Sequence, residues 1–375
     1  MPHRIRSLLL AVVPALLAAQ EPAPRQLPAA TRESAEGFSR ITGLIELPDG
    51  RLLISDGREL AVHLVDLARG SVKPAADKGR GPREYGQPGG LYAMRDGEVR
   101  LLDQIQRRYL RFSRTGAPIG TVPFASVGGA MSFSSTAADP HVLDGEGAEY
   151  AREALGRVAR DGEATESWVT RRRGARLDSL VKLRNPFTVV DESQGFRMIL
   201  RVAFSPADGF AVARDGAVAI VRAEPYRVEW QEPNGRIVQG PVYAFDPLPI
   251  TAADREAVAA ERRGAALPGN VRINRPDGTP ITGQLTVPEA RFAAAKPAFV
   301  PEGILIDRQD RVWVRRHAAR GAPEVYDVFD RRGTRVDRVQ VPPRTSLAGF
   351  GPESIYLARR FSDHAPVTID YDFKL

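Results

Sequence analysis

The sequence predicts an all-β chain folded as a six-bladed β-propeller of four-stranded antiparallel blades, with loop insertions and one short helix. Two observations predict it: a strand, Asp-Gly turn, strand unit recurs along the chain, and its two clearest copies are spaced as propeller blades are. In the first unit Ile45 to Pro48 lead into Asp49-Gly50, Leu52 to Asp56 follow, then Val62 to Asp66, and the unit closes at Gly70. The second runs from Leu91 through Asp96-Gly97 to Val99–Asp103, then Tyr109 to Phe112, and closes at Gly116, 46 residues after Gly70. Asp-Gly between alternating apolar runs signals a hairpin, read as a type I′ turn needing positive φ at both central residues. Four short strands, apolar on both faces, must stack on copies of themselves.

Looser copies follow at Asp215-Gly216, ending in Glu232-Pro233-Asn234-Gly235, and at Gly303 to Val314, ending near Gly333; a partial copy runs from Ser354 to Phe373. A degraded unit between the second and fourth holds Val142-Leu143-Asp144 and the turn Arg160-Asp161-Gly162. The last unit stops at its third strand, whereas residues 26 to 33 have no partner. An N-terminal strand is therefore expected to complete the last blade as its outer strand. Insertions are expected at about 163–200 and 240–298. The second opens a helix with Thr251 and Asp254 in a capping-box-like pair and closes it at Gly264.

The first residues, basic through Arg6 and apolar from Leu8 to Ala19, have the form of a signal peptide over 1–20, cleaved between Ala19 and Glu21. One propeller domain over 21–375 follows, expected in the periplasm or secreted. The apolar stretch is too short to span a bilayer and no later one is longer. Without any Cys there is no disulfide, thiolate metal site or acylated anchor. The formal charge of +7 rests almost wholly on Arg, since five of the 53 basic residues are Lys, a bias that reads as genome composition; nucleic acid is not expected as a partner. Arg171, Arg172, Arg173 and Arg176 read as a solvated loop.

The segment Gly79-Arg80-Gly81-Pro82-Arg83-Glu84-Tyr85-Gly86-Gln87-Pro88, followed by strand, Asp-Gly and Leu101-Leu102-Asp103, resembles the Gly-x-Gly-Pro-x-Glu-Phe signature of secreted bacterial six-bladed β-propellers related to NHL-repeat proteins. The resemblance implies architecture more than chemistry. The chain departs from it at Tyr85 and in carrying Arg222, Arg315 or Arg316, and Arg359 where NHL-type strands end in Asp. In enzymatic six-bladed propellers carboxylates equivalent to Asp56 and Asp103 can help to hold a channel metal, and Asp144 is a weaker third candidate here. Arginines in the other blades would repel a cation, and an Asx-turn role is preferred for each Asp.

The Gly-rich segment could cradle an anion through its N–H groups, with Arg80 and Arg83 adding charge, but its position favours a blade junction. The lead-in segments of the innermost strands carry Arg40, Glu84, Arg201, Glu302 and Arg344, a mixed ring suited to an anionic small ligand or a carboxylate-bearing peptide. Ligand-binding candidates are thus Arg40, Arg80, Arg83, Glu84, Tyr85, Arg201, Glu302 and Arg344. His63, His141, His317 and His364 show no zinc spacing, and Trp168, Trp230 and Trp313 read as packing residues. The leading expectation is an exported propeller that binds a small ligand or an envelope protein at its loop face and channel mouth, with no metal or cofactor and no chemistry. The alternative is a lactonase- or lyase-like enzyme with calcium held in the channel by Asp56 and Asp103.

Overall fold

Five of the repeats begin with the same tight hairpin. Leu47 N–H donates to Arg51 C=O at 2.8 Å and Gly50 N–H to Leu47 C=O at 2.9 Å; Met94, Asp144, Ala213 and Asp307 make the same two bonds. Positive φ is confined to the last turn residue, Gly50, Gly97, Gly147, Gly216 or Asp310. The turns are therefore not type I′; they are the longer kind in which one left-handed residue ends the turn. The acidic residue before the glycine has another role: Asp49, Asp96 and Asp215 each accept the N–H two residues on, from Arg51, Glu98 and Ala217.

The computed structural model describes residues 23–28, 30–123, 142–153, 165–191, 198–265, 270–274, 280–284, 288–360 and 367–371. The leader, the Arg160-Asp161-Gly162 turn, His141 and His364 lie outside them. Sheet A comprises Ile41–Glu46, Leu52–Asp56, Ala61–Asp66 and Ser71–Pro74. Sheet B comprises Pro88–Ala93, Val99–Asp103, Arg108–Phe112 and Pro118–Pro123. In sheet C the strands are Val142–Leu143, Glu149–Arg152, Glu166–Arg173 and Arg176–Arg184; in sheet D, Gly209–Val212, Val218–Arg222, Arg227–Gln231 and Ile237–Gln239. Sheet E holds Phe299–Ile306, Val312–Arg316, Val325–Phe329 and Arg335–Gln340. Sheet F holds Thr345–Phe350, Ile355–Arg360 and Val367–Tyr371.

The N-terminal segment serves two sheets. Arg32–Glu33 pairs antiparallel with Val367–Tyr371 and completes sheet F, the closure expected from the sequence. Arg25–Gln26 pairs parallel with the last strand of sheet E. There Leu27 N–H donates to Gln340 C=O, Arg25 pairs with Asp337 at 2.7 Å, and Leu27 is buried between sheets E and F. The expected six blades of four antiparallel strands are thus corrected. Five sheets, A, B, C, D and F, have four strands; sheet E has five, one of them parallel, because these N-terminal contacts extend it.

Two other expectations change. Most of the span 163–200 is no insertion, because Glu166–Arg173 and Arg176–Arg184 form the outer half of sheet C about a turn with Gly174 at φ +58°. Arg171 to Arg173 therefore lie on a strand, where Arg171 pairs with Asp178 at 3.0 Å. The 240–298 segment does carry the helix, Ala252–Ala265, and a hairpin of Asn270–Asn274 with Pro280–Gln284.

The core lies between sheets. Tyr226, Val228 and Trp230 of D meet Phe299, Val312 and Phe329 of E; Leu53, Val62 and Leu64 of A meet Leu91, Leu101 and Phe112 of B; Phe38, Leu52 and Ile54 meet Tyr356 of F. Full burial of each large side chain contributes roughly 1.5–3 kcal/mol. First strands touch around the axis, A with B and F, C with B and D, and D with E. Contact is close: a Cβ on Gly43 would lie 2.7 Å from Leu91 N.

Candidate functional site

The first strands enclose a cavity of about 1050 Å³ along the axis. Its lining is mixed: Leu44, Leu91, Leu143, Phe210, Ile304 and Leu347 border it beside Thr42, Tyr92 and Ser346, and charged residues stand toward its two ends. All first strands run the same way, so one end is built from strand starts and the other from the first hairpins. At the strand-start end are Arg40, Glu302 and Arg315. Arg315 is paired with Glu324 at 3.0 Å, whereas Arg40 and Glu302 are exposed. At the hairpin end are Arg95, Arg214, Asp215, Arg308 and Asp310.

The strand-end carboxylates near the first end are fully engaged. Asp56 accepts N–H groups from Ser39, Arg40, Arg58 and Glu59 at 2.5–3.1 Å. Asp103 accepts those of Gly86, Gln87 and Gln106 at 3.0–3.4 Å and lies 3.5 Å from Arg108 Nε. Both are essentially inaccessible. Each fastens a lead-in segment and a following turn to the end of a second strand, which accounts for an Asp there without a ligand. Asp144 is not their equivalent. It occupies the first hairpin of sheet C, accepting from Glu146 N, Ala148 N and Tyr150 Oη. Among the described residues no three His, Asp or Glu side chains form a group able to hold a metal ion.

In the remaining sheets the second strand ends in arginine. Arg152 donates to Asp208 C=O, Arg184 C=O and Asn185 Oδ1, and Arg222 to Lys182 C=O, Asp208 and Glu229. Asp208 itself accepts Arg184 N and Ala223 N, so the carboxylate has moved from strand end to lead-in segment. In sheet E Arg316 pairs with Asp327, which also takes Arg338 at 2.7 Å and Tyr226 Oη at 2.9 Å and lies 3.6 Å from Arg335.

The Gly-rich segment joins sheet A to sheet B. Its carbonyls are turned toward donors: Gly79 C=O accepts Gln106 Nε2 at 2.6 Å, and Gly81 and Glu84 C=O accept Arg108 Nη2 at 2.8 Å. Glu84 carboxylate accepts Gly81 N–H at 2.7 Å. Tyr85 is buried in the A–B core, its hydroxyl accepting Val62 N–H. Arg80 and Arg83 are exposed on this junction, away from the channel. Arg201 and Arg344 also lie off the channel; Arg201 C=O accepts Arg262 of the helix, and Arg344 is exposed with φ +61°. Of the eight ligand-binding candidates from sequence, the cavity brings together Arg40 and Glu302.

Sequence reasoning missed Arg95, Arg214 and Arg308. Their signal was available: each immediately precedes the second residue of a first-hairpin turn, as do Pro48 and Gly145 in sheets A and C.

The described histidines stand apart. His63 packs edge-on against Phe38, and burial lowers its pKa. His317 sits against Phe204, with its pKa lowered to about 4 by burial and then by Lys296. Lys296, itself buried, donates to Asp254 at 2.8 Å and lies 5.5 Å from the Phe204 ring. Burial raises the Asp254 pKa, but the donors Lys296 and Thr251 outweigh it and hold the carboxyl at about 2. This cluster docks the helix onto sheet E. Trp230 and Trp313 are fully buried, as expected; Trp168 is half-buried beneath Lys182.

The sheets and their closure define a β-propeller protein. The solved structures similar to it include a member of the DUF4221 family from Bacteroides vulgatus, at TM-score 0.52 and 9% identity, covering 93% of this chain and 98% of that one. A calcium-binding protein, regucalcin, from Agrobacterium tumefaciens matches at TM-score 0.45 and 12% identity, covering 94% and 96%. A protein described as exported, from Bacteroides fragilis, matches at 0.44 and 11%, covering 93% and 94%. These likenesses concern the fold. No family model and no curated protein matches the sequence. No helix among the described residues is long and apolar enough to cross a membrane.

Proposed function

We propose that this is an exported binding protein whose channel holds a small molecule with an apolar body and an anionic head, without altering it. The observation that carries the reading is the cavity of about 1050 Å³, bordered by both apolar and polar residues and charged toward its ends. That is the layout of a small-molecule site, in which apolar walls supply affinity and a few polar groups fix orientation. The Asp56 and Asp103 contacts speak against the calcium-dependent lactonase or lyase reading, because a cation would have to displace the backbone N–H groups they hold.

Isothermal titration with straight-chain carboxylates tests the proposal. Octanoate is expected to bind and hexanoate roughly tenfold more weakly, since each buried methylene contributes about 0.8 kcal/mol. Ala211→Trp and, separately, Ala93→Phe place bulk on the channel wall and should each abolish binding while the thermal transition persists. No heat with octanoate, or unchanged affinity in both filled variants, would refute it.

A further inference from the structure

The hairpin end of the channel has an internal order that its residues reveal only when the repeats are superposed on their turns. The residue after Leu47, Met94, Asp144, Ala213 or Asp307 occupies one equivalent position in the hairpins of sheets A to E. Those residues are Pro48, Arg95, Gly145, Arg214 and Arg308. The backbone links neighbouring turns, Arg95 N–H donating to Gly145 C=O at 2.8 Å and Gly145 N–H to Arg214 C=O at 2.9 Å. Arg95 and Arg214 thus stand on either side of the Gly145 turn, Arg308 belongs to the turn of the next sheet, and all three line the cavity.

Their charges are unequally answered. Arg95 meets Glu146 at 2.8 Å in an exposed pair. Arg214 spends its Nη2 on a neutral acceptor, Met94 C=O, at 2.7 Å. Arg308 has no carboxylate within ion-pair distance among the described residues. The nearby acids have other partners: Asp215 pairs with Arg331 at 2.6 Å, and Glu46 accepts Tyr356 Oη at 2.6 Å. Asp310 is pushed toward its neutral form by burial, and Asp215 adds to that against the pull of Arg331. Burial and then the Arg214 charge lower the pKa of Arg308, against the attraction of Glu46; the other arginines with a resolved shift, Arg51, Arg111, Arg171 and Arg222, are all raised.

We infer that the hairpin end of the channel is an oxyanion site, in which Arg214 and Arg308 bind one phosphate or carboxylate group and Arg95 can join them. Two guanidiniums lining one end of the cavity, neither of them in an ion pair with a carboxylate among the described residues, suit an anion with several acceptor oxygens. The inference rests on the channel reading for the rest of the ligand and assigns its head group to this end. Inorganic phosphate tests the site alone, because it has no apolar body.

The test follows the thermal transition of the full chain at low ionic strength with sodium phosphate, against sodium chloride of matched ionic strength to account for screening. Phosphate should stabilise the wild-type protein beyond chloride. Arg308→Gln and Arg214→Gln should each weaken phosphate binding roughly tenfold or more, as loss of a charge-assisted contact does. Arg308→Gln should also leave the anion-free transition unchanged or raise it, because it removes a repulsion, so lost binding cannot be ascribed to misfolding. Arg80→Gln, on the exposed junction, should bind phosphate as the wild type does. Equal effects of phosphate and chloride, or wild-type phosphate affinity in both channel variants, would overturn the site. Phosphate binding without octanoate binding would leave the site standing and remove the apolar-channel reading.

Discussion

Sheets A and B differ from sheets C, D and E in how the end of the second strand is fastened. In A and B an aspartate accepts N–H groups of the lead-in segment and the next turn; in C, D and E an arginine donates to carbonyls and carboxylates brought by neighbouring segments. Both close the same gap, one with a buried acceptor and the other with a buried donor. The choice also sets the charge beside the channel. A ring of strand-end carboxylates that could converge on a cation is not assembled, because four of its six places hold arginine and the two aspartates are already engaged. An anionic ligand meets no such obstacle.

The comparison breaks most sharply at its carboxylates. Asp327→Ala would leave Arg316, Arg335 and Arg338 around a pocket that has lost its buried counter-charge. Urea unfolding should show a loss of roughly 3–5 kcal/mol. Asp103→Ala, on the acceptor side, strands three N–H donors and should cost somewhat less, roughly 3 kcal/mol, with Asp103→Asn recovering part of it. If both substitutions were silent, the two fastening schemes would not be what closes the sheets.

A smaller effect separates the regions by pH. The helix insertion is docked on the arginine side through Lys296, Asp254 and His317. His317 has its pKa lowered from 6.5 to about 4, so between those values the unfolded chain binds a proton that the folded chain refuses. Its contribution is complete above pH 6.5 and fades as pH falls toward 4, on the order of 3 kcal/mol in total. Asp254, lowered from 3.8 to about 2, loses its contribution in a second window as pH falls through those values. His317→Gln should flatten most of the upper window in urea titrations, with His63 supplying the remainder. An unchanged slope would contradict the assignment.

What was legible in the sequence follows from how local each signal is. Asp-Gly hairpins could be read because the turn chemistry sits within five residues, and the helix because Thr251 and Asp254 cap it. Sheet C was obscured: its first strand is only Val142–Leu143, and its outer turn uses Gly174 where a second Asp-Gly was sought. The fifth strand of sheet E depends on contacts between residues over 300 apart, as with Arg25 and Asp337, which no local pattern announces. The Gly-rich junction was correctly placed because glycine and proline mark a tight path. Channel residues fared worse. Lead-in positions were taken for the lining, whereas only Arg40 and Glu302 line it, and the arginines of the opposite end emerge only when the hairpins are aligned position by position.

The account is tested most directly by a crystal structure of the protein with octyl phosphate, which joins the two features ascribed to the ligand. The expected result is an alkyl chain in the channel beside Leu44, Leu91 and Ile304, with the phosphate against Arg214 and Arg308. A ligand bound outside the channel, or lying in it with its phosphate at the Arg40 end, would contradict the account.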